Sequence, residues 1–177
     1  MNVEVLGGGK GGQCIDIAHT AQLMLMCGRD NQDNAACGQM DMRNFHDSMS
    51  RGEIWHCQRR RNMARWWCDA ALRLQRCPEV RLAVRSGMTG VITRSRGALT
   101  GNGLAPLFGR MLVEDAFLLG QPFTDAVICS SMGVILRPMA WSDNLVAFAN
   151  SSRKVAKILS LLAQQLESMT ILYSQVV

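Results

Sequence analysis

Apolar positions along this chain switch between two periods, and the switches outline the elements. From Gln13 to about Cys27, Ile17, Ala21, Met24 and Cys27 recur at helical spacing, with Ala18 and Leu25 alongside and Gly28 as a stop. A polar loop, Arg29 to Asn34, leads to Ala35–Met40, a run of small and apolar residues that reads as a short strand ending at Asp41. Asp47 and Ser48 then read as a helix start, because both side chains can cap free backbone N–H groups. Glu53 to Gln75 predicts one helix with Met63, Trp67, Ala70, Ala71 and Leu74 on one face, ended by Pro78. Val80–Val84 and Thr89–Thr93 read as strands around Ser86-Gly87, a hairpin signal. A helix is predicted over 102–119, with Pro106 in its first turns and Leu107, Met111 and Leu112 as its apolar face. Val127–Cys129 and Gly133–Leu136 are strand-compatible. Met139 to Ala149 reads as an apolar hairpin with an acid at its tip. Ser151 to Glu167 reads as an amphipathic helix with Val155, Ile158, Leu159, Leu162 and Leu166 inward, and Met169–Tyr173 as a closing strand.

The length of 177 residues suits one domain with a real core, and 48% apolar residues make the chain globular rather than disordered. No apolar run is long enough to span a bilayer, and the N-terminus lacks the basic start and apolar core of a secretory signal. Seven cysteines, an odd number without C-x-x-C spacing, point to reduced thiols and an intracellular setting, nucleus or cytoplasm. His56-Cys57 has no second pair at zinc-ligand spacing.

Charge changes the picture more than composition does. The formal net charge is +5, but eleven arginines between Arg51 and Arg96 face only Glu53, Asp69 and Glu79, so this band carries +8. Arginine is the side chain suited to forked phosphate contacts, and Arg59, Arg60, Arg61 and Arg65 are the candidate nucleic-acid-binding set. The same band also fits a solvated helix face. Trp66 and Trp67 are either stacking surfaces for bases or a core residue and its flank. Five glycines fall within residues 1–12, where Gly7-x-Gly9-x-x-Gly12 formally fits a dinucleotide fingerprint, although no β-α series follows; Lys10 precedes Gly11, which excludes a P-loop. A flexible loop fits this segment as well.

Three stretches, in order, resemble the motifs of reverse transcriptases, especially those of non-LTR retroelements. Asp41-Met-Arg-Asn-Phe45-His46-Asp47 resembles D-x-x-x-F-x-D, motif A. Arg96-Gly97-Ala-Leu-Thr100-Gly101 through Pro106 resembles motif B, with Thr100 in place of its glutamine. Ala140-Trp141-Ser142-Asp143-Asn144 resembles the Y-A-D-D box of motif C, with Asn144 where the second acid stands. The resemblance implies an α+β polymerase palm, a central antiparallel sheet packed by helices: residues 1–177 as one partial reverse transcriptase domain, 1–34 the end of the fingers and 35–177 the palm, without a thumb. It implies RNA-directed DNA synthesis on an RNA template with a DNA primer and deoxynucleotides. Asp41 and Asp143 would hold two Mg²⁺ (or Mn²⁺) ions, with Asn144 as the third catalytic position. Met42 would help hold a metal through its carbonyl, His46 would stand at the sugar-sensing position, and Arg96, Gly97, Thr100 and Gly101 would line the nucleotide site. Two further readings stay open: a catalytically dead palm that binds RNA or DNA through its arginines, and a dinucleotide-binding enzyme using the N-terminal glycines. Oligomeric state is open.

Overall fold

The computed structural model describes residues 14–32, 34–76, 81–92, 96–98, 102–124, 137–141 and 143–171. The N-terminal glycines, the strand-like runs 127–129 and 133–136, and Thr100 and Gly101 lie outside them. The architecture is α+β. A three-stranded antiparallel sheet runs in the order β1 (Ala36–Asp41), β5 (Asn144–Ala149), β4 (Met139–Trp141). The central strand β5 is apolar from Leu145 to Ala149 because both of its faces are covered.

The pleat sorts the sheet into two faces. Leu145, Ala147 and Ala149 join the main core with α5 (Ala105–Thr124) and α6 (Ser152–Ile171). Gly38 lies on this face of β1, and a Cβ there would clash with Val155 Cγ1, so glycine lets α6 sit close. Val146 and Phe148 point the other way and form a second cluster with Met139 and with Ile17 and Met24 of α1 (Cys14–Asp30). The expected inward stripe of α6 holds, with Val155, Ile158, Leu162 and Leu166 buried. Each such side chain contributes about 1.5–3 kcal/mol on burial.

Five boundaries differ from the expectation. The helix predicted over Glu53–Gln75 is two helices, α3 (Arg51–Arg60) and α4 (Arg65–Arg76). Asn62 takes a left-handed φ of 58°, the Asn62 N–H donates to Arg59 O (3.0 Å) and the Met63 N–H to Gln58 O (3.1 Å). That pair of bonds closes a Schellman stop, with asparagine in the place usually filled by glycine. The helix start expected at Asp47-Ser48 is displaced: a single turn, α2 (Phe45–Ser48), already contains both residues, and Ser50 caps α3 by accepting from the Glu53 N–H (3.3 Å). The predicted hairpin is reduced to β2 (Ala83–Val84) and β3 (Gly87–Met88), with its turn at Arg85-Ser86. The closing strand expected at Met169 is absent over the described residues, where α6 continues to Ile171 and buries Met169. Gly28 does not stop α1 either; it is buried inside the helix, which ends at Asp30.

Candidate functional site

Strand β1 carries Asp41 to its C-terminal end, as its small-residue pattern predicts. The β4–β5 hairpin turns through Asp143, with Trp141 and Asn144 as its last paired residues. The register places Asp41 directly across from Asn144. One bond beyond that pair, the Met42 N–H donates to Asp143 O at 3.1 Å, so the backbone ties the end of the first motif to the tip of the third. In an antiparallel ladder the hydrogen-bonded pairs alternate, which makes Asp41–Asn144 a non-hydrogen-bonded pair; there Cα atoms lie about 4.5 Å apart and side chains stand close. Asp41 is exposed, while Asp143 and Asn144 are half-buried.

Asn144 is engaged. Its Oδ1 accepts from Gln39 Nε2 at 2.7 Å, a diagonal contact on the face that β1 turns away from α6. Gln39 was not singled out in the sequence, although its position two residues before Asp41 puts it on the same face of the strand. Beneath Asn144, Trp141 and Val146 from the hairpin meet Ile17 and Ala21 of α1 around a cavity of about 190 Å³. At the end of the sheet Asp41 borders a second depression, about 300 Å³, with Arg43 and Glu167, two charged residues that motif reasoning missed. Among the described residues, no three His, Cys, Asp or Glu side chains are grouped to hold a metal ion.

The second motif meets the first in space. Gly97, at φ 85°, donates its N–H to Met49 O (2.9 Å), and the Ala98 N–H donates to His46 O (2.8 Å). A Cβ on Gly97 would lie 2.6 Å from Asp47 O, so this contact requires glycine on both counts. Arg96 beside it is exposed. The half-buried His46 ring tilts on Phe45 (centroids 5.4 Å apart) and packs towards Gly109 of α5.

The arginine set divides. Arg60 Nε lies 2.8 Å from Asp115 Oδ2, Arg61 Nη1 lies 2.7 Å from Asp115 Oδ1, and Arg61 Nη2 lies 3.0 Å from Glu114 Oε2. These two guanidinium groups therefore lock α3 to α5. Burial pushes the Asp115 carboxyl up, but hydrogen bonds from Cys57 and Arg60 and the charge of Arg61 outweigh it and hold the group below its usual range. Burial first, and then the hydrogen bond and charge of Asp115, push the Cys57 thiol up to about 12. Arg59 donates to Met63 O (2.6 Å) at the surface, and Arg65 is exposed, 3.9 Å from Asp69. Trp66 is 71% exposed and meets Trp67 edge-on. The five described cysteines are free thiols, and no described helix is long and apolar enough to cross a membrane.

The sheet order, the hairpin bearing Asp143 and the two helices behind them define an α+β fold, a small antiparallel sheet packed by helices. A solved structure of apo telomerase from Candida tropicalis, truncated from its C-terminal domain, has this fold: it matches with a TM-score of 0.50 at 10% identity, over 89% of this chain and 33% of that one. This chain thus spans about a third of the length of that neighbour. No family model and no curated protein sequence matches it.

Proposed function

We propose that this chain is a palm of the reverse-transcriptase type, related to those of non-LTR retroelements, with residues 1–34 as the end of the fingers and 35–177 as the palm. The observation that carries this is the register of Asp41 against Asn144, with Asp143 in the adjoining turn. Two motifs that are separate in sequence thereby meet at one sheet end. In this reading the substrate is a primed RNA template with deoxynucleotides, and the reaction is transfer of a nucleotidyl group to the primer 3′ hydroxyl.

The donors fit a divalent ion in kind. Asp41 and Asp143 offer carboxylate oxygens, Met42, whose N–H donates to Asp143 O, offers a carbonyl, and hard oxygen donors suit Mg²⁺ or Mn²⁺. When bound, such ions supply charge for the reacting phosphoryl oxygens. The chain's own residues hold the acids at the sheet end, and Gln39 orients the Asn144 amide. Asn144 leaves the set one negative charge short, which weakens metal binding and with it turnover. That shortfall favours a second reading, a catalytically dead palm that binds RNA or DNA through its arginines.

Extension of a primed RNA in Mg²⁺ and in Mn²⁺, with Asp41→Asn as the control, tests the first reading. Extension by the wild type that is lost in the variant supports it. Nucleic-acid binding without extension supports the second. Neither extension, nor Mn²⁺ binding that depends on Asp41, nor nucleic-acid binding overturns both.

A further inference from the structure

The apolar face that the sequence predicts for α4 divides in the structure. Met63 and Ala71 join the main core, but Trp67, Ala70 and Leu74 are exposed, Leu74 at 64%, and Trp66 beside them is 71% exposed. The break at Asn62 gives α4 a rotation of its own, and the helix buries Cys68, Ala71, Leu72 and Gln75 instead. Positions 67, 70 and 74 share one side of a helix, with 66 and 73 at its edges. The Trp66 and Trp67 rings meet edge-on with centroids 6.0 Å apart, so the outer stripe begins in a broad aromatic platform. It runs about 12 Å from Trp66 to Leu74. A helix that is apolar on two sides has two layers to touch, and an exposed apolar stripe with a charged border marks an interaction surface.

Charge selects the occupant. Arg65, Asp69, Arg73 and Arg76 follow one another along one long edge of the stripe, three positive charges against one negative, and all three arginines are exposed. A second copy of this chain would bring the same positive edge, and like charges across an interface repel; an acidic partner brings the opposite sign. Carboxylates match the guanidinium fork. The stripe itself separates protein from nucleic acid. Ala70 and Leu74 offer a base no ring to stack on, whereas aliphatic side chains of another helix gain by burial against them.

We propose that the outer face of α4 docks an acidic amphipathic helix of another protein, with Trp66, Trp67 and Leu74 in the apolar seam and Arg73 and Arg76 on its carboxylates. None of these residues lines the depression at Asp41, so the docking face is independent of the metal-site reading.

The test uses the whole chain and a labelled synthetic helical peptide with leucines along one face and glutamates beside them, read by fluorescence anisotropy. Two control peptides have the same residues scrambled, so that no apolar face forms, or lysine in place of each glutamate. The wild type should bind the acidic peptide saturably and each control about tenfold more weakly or less. Trp66→Ala with Leu74→Ala should weaken binding by about tenfold or more and leave the thermal midpoint unchanged, since both side chains are exposed. Arg73→Glu should weaken the acidic peptide and strengthen the lysine peptide, a reversed preference that an unfolded variant does not give. A wild type that binds no acidic peptide, equal affinity for the scrambled peptide, or no loss in the double alanine variant overturns the proposal. Self-association that is lost in Leu74→Ala assigns the face to a second copy and overturns it. Single-stranded RNA that displaces the peptide, and whose binding needs Trp66 but not Leu74, assigns the face to nucleic acid and likewise overturns it.

Discussion

Asp41 and Asn144 face one another across the β1–β5 ladder, and Gln39 Nε2 holds the Asn144 oxygen at 2.7 Å. A carboxylate and a restrained amide thus occupy neighbouring positions at the end of the sheet. An aspartate at 144 keeps the oxygen that Gln39 bonds and adds one negative charge beside Asp41. Asn144→Asp is therefore expected to tighten Mn²⁺ binding by about tenfold, the equivalent of ~1.4 kcal/mol. It should also lower stability in metal-free buffer, because two close carboxylates repel. Calorimetric titration of both proteins, with chemical denaturation in chelator, checks the pair of effects; equal Mn²⁺ affinity counts against a metal site at this position.

Asp115 is the shared anchor for Arg60 and Arg61, and it is buried at 6% exposure. Its folded-state pKa is depressed, so its contribution is fully present above the unfolded value of about 4 and is lost as pH falls through the lower folded value. Asp115→Asn should cost about 2–3 kcal/mol at neutral pH, a figure discounted because Arg60 is half-exposed. The gap between variant and wild type should close below about pH 4. Urea titrations across that range decide it, and a gap independent of pH assigns the loss to packing.

Gly97 is held by two independent constraints, a φ of 85° and the Asp47 backbone 2.6 Å from where a Cβ would sit. Gly97→Ala should destabilise by about 2–4 kcal/mol, well above an ordinary surface substitution. Thermal denaturation measures it. Gly103→Ala is the comparison, since nothing lies within 4 Å of its Cβ position. Similar losses at the two sites would mean that the contact between the first and second motifs does not form in solution.

Gln58 is fully buried, and among the described residues neither polar atom of its side chain has a hydrogen-bond partner. A buried amide left in that state costs about 1–3 kcal/mol. Gln58→Met, close to it in volume, should raise the midpoint of chemical denaturation by the equivalent of about 1 kcal/mol. A lower midpoint would show that the amide is satisfied in solution.

What the sequence determined by itself is local. The strand that ends at Asp41, the hairpin that turns at Asp143 and the inward stripe of α6 all follow from period and turn chemistry, which act between near neighbours. The same local logic failed where one residue outweighed a pattern: Asn62 stops α3 with a left-handed turn inside what reads as one continuous helix. Two further matters were decided only by the tertiary structure. Gln39 and Asn144 are 105 residues apart, so no local preference specifies their bond or the register that sets Asp41 opposite Asn144. The arginines look equivalent in sequence, yet Arg60 and Arg61 face Glu114 and Asp115 whereas Arg73 and Arg76 face an open cleft. Helix rotation and the packing of α3 on α5 set that division, because a charge is defined by the partner it meets in space.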